Sequence, residues 1–186
     1  MEQKSDNSKK LESQIREAYG KVMYTQIAHA KIVERMVEKD KTIKFVQIIL
    51  SALTTGGFIT AIIFNENLAS IIGALLSTIL LIFSSLTKNF NFIEDAKRHS
   101  DASNLLWKIR EEYVSLLVDF DKISYDEIIK KRDELQERTY DVYSTYPQTD
   151  AKSYEQARNS IKNEETQTFS EEEIDLILPN SVRRNK

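Results

Sequence analysis

The centre of the chain is almost free of charge. Residues 45–87 include a single charged side chain, Glu66, among 43 positions, and a charge-free span of 21 residues lies on each side of it, 45–65 and 67–87. A helix needs about 20 mainly apolar residues to cross a hydrocarbon core of about 30 Å. The polar turn Asn65-Glu66-Asn67 separates the two spans. This pattern predicts a two-helix transmembrane hairpin.

A buried helical hairpin in a soluble bundle is the alternative. A soluble bundle helix of this length normally keeps one polar face, and neither span has such a face. Lysines and an arginine flank the outer ends of the spans, whereas the turn has none. The positive-inside rule then predicts that both termini are cytoplasmic and that Glu66 is outside. The flanking residues are Lys39, Lys41, Lys44, Lys88, Lys97 and Arg98.

Apolar residues at a 3-4 spacing on both sides of the spans predict two long cytoplasmic helices, about 9–44 and 88–146, which pack antiparallel like a coiled coil. The first is expected to continue into the first span with little or no break. Capping signals at Ser124 and Asp150 predict new helices there. The two seams are Leu11, Ile15, Ala18, Val22, Thr25, His29, Ile32, Met36 and Phe92, His99, Ala102, Leu106, Ile109, Tyr113, Leu116, Phe120.

No catalytic pattern is present. The chain has no cysteine, two histidines and four glycines, and it lacks the common hydrolase, nucleotide-binding and metalloprotease motifs. The sequence therefore predicts no enzyme, no cofactor and no metal site. The net charge of -3 gives no basic footprint for nucleic acid.

Small residues recur every four positions in both spans and predict close helix packing, because van der Waals contact drives helix association in lipid. If the arms mirror each other about the turn, facing positions sum to about 133, so Gly56 faces Ser77 and Thr60 faces Gly73. An internal contact is favoured over an oligomer interface, and Gly56 with Gly57 is a candidate bend or gate. The candidates are Ala52, Gly56, Gly57, Thr60, Ala69, Gly73 and Ser77.

Further hydroxyl side chains lie along the spans. Each is either bonded to the carbonyl four residues earlier or exposed as the weakly polar lining of a pore formed by several hairpins. Without any charged residue within a span, such a pore would be poorly selective. The candidates are Ser51, Thr54, Thr55, Ser70, Thr78, Ser84 and Ser85.

The two histidines lie in the predicted cytoplasmic seam. The mirror register brings His99 near Glu34 and His29 near Asn104. A histidine beside a carboxylate would form a pH-sensitive switch, and a simple hydrogen-bonded seam residue is the alternative. Trp107 is expected to anchor the cytoplasmic bundle or to contact another copy.

The predicted organisation is an all-α membrane protein with a flexible N-terminus at 1–8, a main domain at 9–165 and an acidic tail at 166–186. Ser170 and three glutamates predict a short helix that ends before Pro179, with a disordered docking tail as the alternative.

Three segments resemble the SLATT family, the two-transmembrane effector domains of bacterial nucleotide-signalled conflict systems. They are REAYGKVMYTQIAHAKIVERM (16–36), LLWKIREEYVSLLVDF (105–120) and YPQTDAKSYEQARNSI (146–161), with the short-looped hairpin between the first two. The resemblance covers about residues 9–165.

This resemblance implies a multi-pass effector of the bacterial inner membrane in anti-phage defence. Such an effector oligomerises and permeabilises the lipid bilayer when a sensor or nucleotide-synthesising partner signals. The resemblance supplies no catalytic residues. A non-permeabilising anchor for a cytoplasmic partner enzyme is the alternative function.

Overall fold

The computed structural model describes residues 2–64, 67–88 and 91–184. All regular elements in these ranges are α-helices, so the all-α prediction is confirmed. In chain order they are α1 (Glu2–Phe64), α2 (Asn67–Lys88), α3 (Phe92–Val118), α4 (Tyr125–Thr145), α5 (Ala151–Lys162) and α6 (Glu171–Ile177).

Helix α1 runs through 63 residues without a break, which corresponds to about 95 Å at 1.5 Å per residue. It joins the predicted cytoplasmic helix and the first span, as the sequence indicated. It begins at Glu2, ahead of the predicted start at residue 9. An ion pair one turn apart, between Lys10 and Asp6, lies in this additional segment.

The returning arm consists of two helices. Helix α2 ends at Lys88 and α3 begins at Phe92, where the Asn91 side chain caps α3 by accepting a hydrogen bond from the Glu94 amide at 3.2 Å. Helix α1 packs against α2 along the hairpin and against α3 in the bundle. The predicted antiparallel arrangement is therefore present, with a break in one arm.

The core of the bundle follows the predicted seams. Apolar residues of α1, α3 and α4 form one buried cluster, in which Ile15, Leu106 and Tyr113 are at most 1% exposed. A smaller cluster joins Ile27 and Ala28 of α1 to Ala157 of α5. Trp107 is 52% exposed, so it does not anchor this bundle, and its role as a contact between copies stays a prediction.

Three polar residues define the starts of the later helices. Ser124, Asp150 and Ser170 are the N-caps of α4, α5 and α6, as the sequence predicted. Helix α6 stops before Pro179, and within the described residues it packs against no other helix.

The outer surface of the hairpin is aliphatic, in contrast to that of the bundle. Large apolar side chains of α1 beyond residue 44 and of α2 are mostly exposed, with Phe45 at 65% and Leu81 at 68%. Others on this surface are Ile48, Ile49, Leu53, Ile59, Ile63, Leu68, Ile71, Ile72, Leu75, Ile79 and Ile82.

Among the described residues, no helix combines the length and apolarity that a membrane crossing requires. The predicted spans at 45–65 and 67–87 are therefore not confirmed as transmembrane. Glu66 lies outside the described residues.

Candidate functional site

Gly56 lacks the close contact that the mirror register predicted. A Cβ built on Gly56 meets no heavy atom within 4 Å, and the same holds for Gly57. Gly56 is exposed, Gly73 is buried and Ser77 is half-buried. Gly56 therefore does not act as a close-approach point between α1 and α2 within one protomer.

Gly56 instead lies along an open groove of about 870 Å³ between α1 and α2. Two predicted packing residues and three predicted pore residues line this groove together. They are Ala52 and Gly56, and Ser51, Thr55 and Ser84. Lys44 and Gln47 also line it, on the side of the bundle. We call this surface the hairpin groove.

Three threonines of the hairpin bond back to their own helices. The Thr54, Thr55 and Thr78 hydroxyls donate to carbonyls four residues earlier, at 2.8–2.9 Å. These bonds support the satisfied-hydroxyl interpretation for those three residues. Thr55 also lines the hairpin groove, whereas Thr54 is buried.

The remaining hairpin candidates lie away from the groove lining. Ser70, Thr78 and Ser85 are exposed. The side chains of Thr60 and Ala69 are outside the described part, so their predicted contacts stay predictions.

The two histidines contact each other in the bundle. His29 of α1 and His99 of α3 are both buried, and their Nδ1 atoms lie 2.8 Å apart in a hydrogen bond. The predicted pairing of His99 with Glu34 is therefore wrong. Glu34 is exposed, and its carboxylate pairs with Lys31 at 3.0 Å. The expected proximity of His29 to Asn104 is likewise replaced by the contact with His99.

The register error has a physical cause. The mirror register assumed that both arms are continuous helices, which rise by 1.5 Å per residue away from the turn. The returning arm is interrupted at Asn91, whose dihedral angles are non-helical, just before α3 begins at Phe92. The interruption changes the register, so His29 meets a residue five positions before the expected one.

Burial controls the charge of this histidine pair. Burial, followed by the proximity of His99, lowers the pKa of His29 to about 4. Burial also lowers the pKa of His99. Four charged groups act on His99 in opposite directions: Asp95 and Asp150 raise its pKa, and Arg98 and Arg35 lower it. At neutral pH the pair is uncharged and shares one Nδ1 proton.

Polar contacts that the sequence did not reveal also join α1 to α3 and to the start of α5. The Ser103 hydroxyl donates to the Gln26 carbonyl at 3.1 Å, and Arg110 donates to the Gln26 side chain at 3.0 Å. Arg35 of α1 pairs with Asp150, the N-cap of α5, at 2.6 Å. These residues flank the predicted seam in the sequence, but only the folded register specifies their partners.

Within the described ranges, no group of three or more His, Cys, Asp or Glu side chains could hold a metal ion. Among the described residues, predicted site residues come together in the hairpin groove and in the histidine pair.

The chain matches a known protein family over most of its length. The model of SLATT family 4, described as the SMODS and SLOG-associating 2TM effector domain family 4, matches residues 11–173. No curated protein and no solved structure matches the chain. The family match includes the hairpin, the bundle helices and the start of α6, well over half of the chain, so the protein belongs to the family of SMODS and SLOG-associating 2TM effector domains.

Proposed function

We propose that this protein is a membrane-embedded effector of a bacterial anti-phage system, which oligomerises and permeabilises the inner membrane when a sensor or nucleotide-synthesising partner signals. Residues 45–87 are the membrane hairpin, and both termini are cytoplasmic. The family description, a 2TM effector domain, supports the general assignment. Permeabilisation, oligomerisation and the partner are parts of the proposal.

The observation that carries the proposal is the aliphatic outer surface of the hairpin. Soluble monomers seldom expose apolar patches larger than a few hundred Å². Here a ring of isoleucines and leucines faces outward on both α1 and α2, while α1 buries its apolar residues in the bundle. Lipid is the environment in which exposing such a surface costs the least free energy. The two charge-free spans have the length for this environment.

The hairpin groove is the proposed contact between copies. Small side chains allow helices to approach closely in lipid. Because a Cβ at Gly56 would meet no heavy atom within 4 Å, the groove has room beside it for a helix of another copy. The groove also carries Ser51 and Ser84, which would supply polar surface inside an assembly.

Two adjacent glycines provide a test of this contact. Gly56 lines the groove and Gly57 does not, yet a Cβ at either position meets open space within the protomer. Gly56→Leu should therefore fill the groove without disturbing the hairpin. At an overexpression level where the unsubstituted protein depolarises bacteria without its signal, we expect Gly56→Leu to leave the membrane potential intact, as reported by a potential-sensitive dye.

Gly57→Leu is the matched control and should depolarise the cells like the unsubstituted protein. Membrane fractionation, with extraction at alkaline pH, establishes equal insertion of both variants. Depolarisation by Gly56→Leu at equal membrane levels would contradict the groove contact. Recovery of the unsubstituted protein in the soluble fraction would contradict the membrane assignment itself.

A second function, a membrane anchor for a cytoplasmic partner, is favoured by α6. Its Leu176 and Ile177 are at least 72% exposed, and among the described residues α6 packs against no helix. A short amphipathic helix of this kind can dock in the groove of a partner. An anchor would retain the membrane potential on activation and co-purify with a partner through the tail.

A further inference from the structure

The bundle contains a cavity whose purpose the proposed membrane function does not explain. It has a volume of about 760 Å³ and lies between α1 and the α4–α5 connection. Small-molecule sites are mostly apolar cavities of roughly 300–1,000 Å³ with a few convergent polar groups. This cavity fits that description. Its walls include Gly20, Tyr24, His29, Tyr143, Pro147 and Tyr154.

Aromatic rings form one wall. Tyr24 of α1 and Tyr154 of α5 are stacked, with ring centroids 5.6 Å apart and an interplanar angle of 26°. Tyr143 of α4 also lines the cavity, and its hydroxyl donates to the Thr25 hydroxyl at 3.3 Å. Stacked tyrosines give a flat apolar surface that favours planar aromatic rings.

Gly20 keeps this cavity open. Glycine within a helix destabilises it relative to alanine, so an interior glycine usually has a packing reason. A close approach of another segment does not explain Gly20, because a Cβ at this position would meet no heavy atom within 4 Å. The space beside Gly20 belongs to the cavity itself. The glycine therefore extends the volume available to a ligand.

His29 is the buried polar side chain in the lining of the cavity. It is 3% exposed and lines the cavity, and the hydrogen bond that the structure gives it uses Nδ1, toward His99. Nε2 is then the atom left for a ligand. It donates when His99 carries the shared Nδ1 proton and accepts when His29 carries it. The site can therefore bind either a ring nitrogen or a ring N–H.

The charges around the cavity favour a neutral ligand over a polyanion. Lys21 is the cation in its lining, and Glu17, which also lines it, pairs with Lys21 at 2.7 Å. The nearby N-terminus of α5 is capped by the Asp150 side chain. Phosphate groups require unpaired arginine or lysine, or free helix amides.

We propose that this cavity binds an uncharged planar heteroaromatic small molecule, which stacks on the Tyr24–Tyr154 wall beside Gly20 and hydrogen-bonds to Nε2 of His29. Because His29 is hydrogen-bonded to His99, a bound ligand would fix the tautomers of both histidines. These histidines form a buried contact between α1 and α3. Binding does not rest on the proposed membrane function, and it is measured on the purified protein.

Equilibrium dialysis of the purified full chain in detergent against indole, adenosine and lumichrome tests the site. We expect saturable binding of at least one probe, with one site per chain. ATP should bind no more tightly than adenosine. Failure of all three probes to bind would overturn the proposal, and tighter binding of ATP would overturn the uncharged ligand class.

Gly20→Leu is the decisive variant, because it fills the cavity at a position with open space. Binding should fall more than tenfold while the thermal unfolding midpoint stays equal or rises. Trp107→Leu, which removes an exposed aromatic ring elsewhere on the bundle, should bind as the unsubstituted chain does. Unchanged binding in Gly20→Leu, or equal loss in Trp107→Leu, would contradict the site.

Two substitutions at His29 distinguish the roles of its two ring nitrogens. An asparagine amide can replace Nδ1 and keep the bond to His99, whereas a glutamine amide reaches toward the Nε2 position. We expect His29→Asn to weaken binding about tenfold and His29→Gln to retain more of it. The opposite order would contradict the assigned role of Nε2.

Discussion

Helix α1 passes through two regions that differ in the exposure of their apolar side chains. In the bundle, Ile15 and Val22 are buried against α3 and α4. In the hairpin, Ile48 and Leu53 of the same helix are more than half exposed. One continuous helix therefore buries its apolar residues at one end and exposes them at the other. The proposed function assigns the bundle to water and the hairpin to lipid, and we call this the two-solvent account.

The largest expected effect compares one leucine from each region. Leu106 is fully buried in the bundle, whereas Leu81 of α2 is 68% exposed. Leu106→Ala should lower the free energy of unfolding by about 2–5 kcal/mol, because it leaves a cavity. Leu81→Ala should change it by less than about 0.5 kcal/mol. Denaturant unfolding of the bundle, followed by Trp107 fluorescence, measures the free energy of unfolding of both variants. Equal losses in the two variants would contradict the difference between the regions.

The pH dependence of stability should come from the bundle. Folding depresses the pKa of His29 from 6.5 to about 4, so between these values the unfolded chain binds a proton that the folded chain does not. Stability is therefore retained above pH 6.5 and falls as the pH drops toward 4. At about 1.4 kcal/mol per pKa unit, the loss from His29 reaches about 3 kcal/mol.

Unfolding experiments at pH 7.5 and pH 4.5 measure this loss. His29→Asn with His99→Asn removes both titrating groups and should flatten most of the dependence in this range. An unchanged pH profile in the double variant would show that other groups cause it.

A smaller effect is expected where α5 is attached to α1. The Asp150 carboxylate caps α5 and also pairs with Arg35. Asp150→Ala should cost about 1 kcal/mol, mainly from the lost cap. Asp150→Asn retains the cap and loses only a partly exposed ion pair, so its cost should be a few tenths of a kcal/mol. Equal costs in thermal unfolding would mean that the ion pair, rather than the cap, holds α5.

The smallest effect concerns the tail. Glu171, Glu172 and Glu173 begin α6, which packs against no helix within the described part of the chain. Their joint replacement by glutamine should change the free energy of unfolding by less than about 0.5 kcal/mol. A docking role would instead appear as loss of a co-purified partner. A large loss of stability would show that α6 supports the bundle.

Local sequence signals predicted much of the bundle. The 3-4 spacing of Leu106, Ile109 and Tyr113 specifies a buried face, and Ser124 and Asp150 mark helix starts through local hydrogen bonds. Such features depend on neighbours within one or two turns. They can therefore be predicted from a single sequence.

Contacts between distant segments were harder to predict. The meeting of His29 with His99 depends on the interruption before Phe92, which shifts the register of the returning arm. The cavity beside Gly20 was missed because its walls come from α1, α4, α5 and the connection between α4 and α5. No sequence pattern within one segment predicts the space between such elements.

The absence of cysteine from the chain permits a direct test of the two-solvent account. Single cysteines replace Ser8, Leu53 or Glu66, and a membrane-impermeant maleimide is added to intact spheroplasts and then to lysed ones. The account predicts labelling of Glu66→Cys in intact spheroplasts, of Ser8→Cys only after lysis, and of Leu53→Cys in neither case. Labelling of Leu53→Cys after lysis as fast as that of Ser8→Cys would contradict a lipid-facing hairpin.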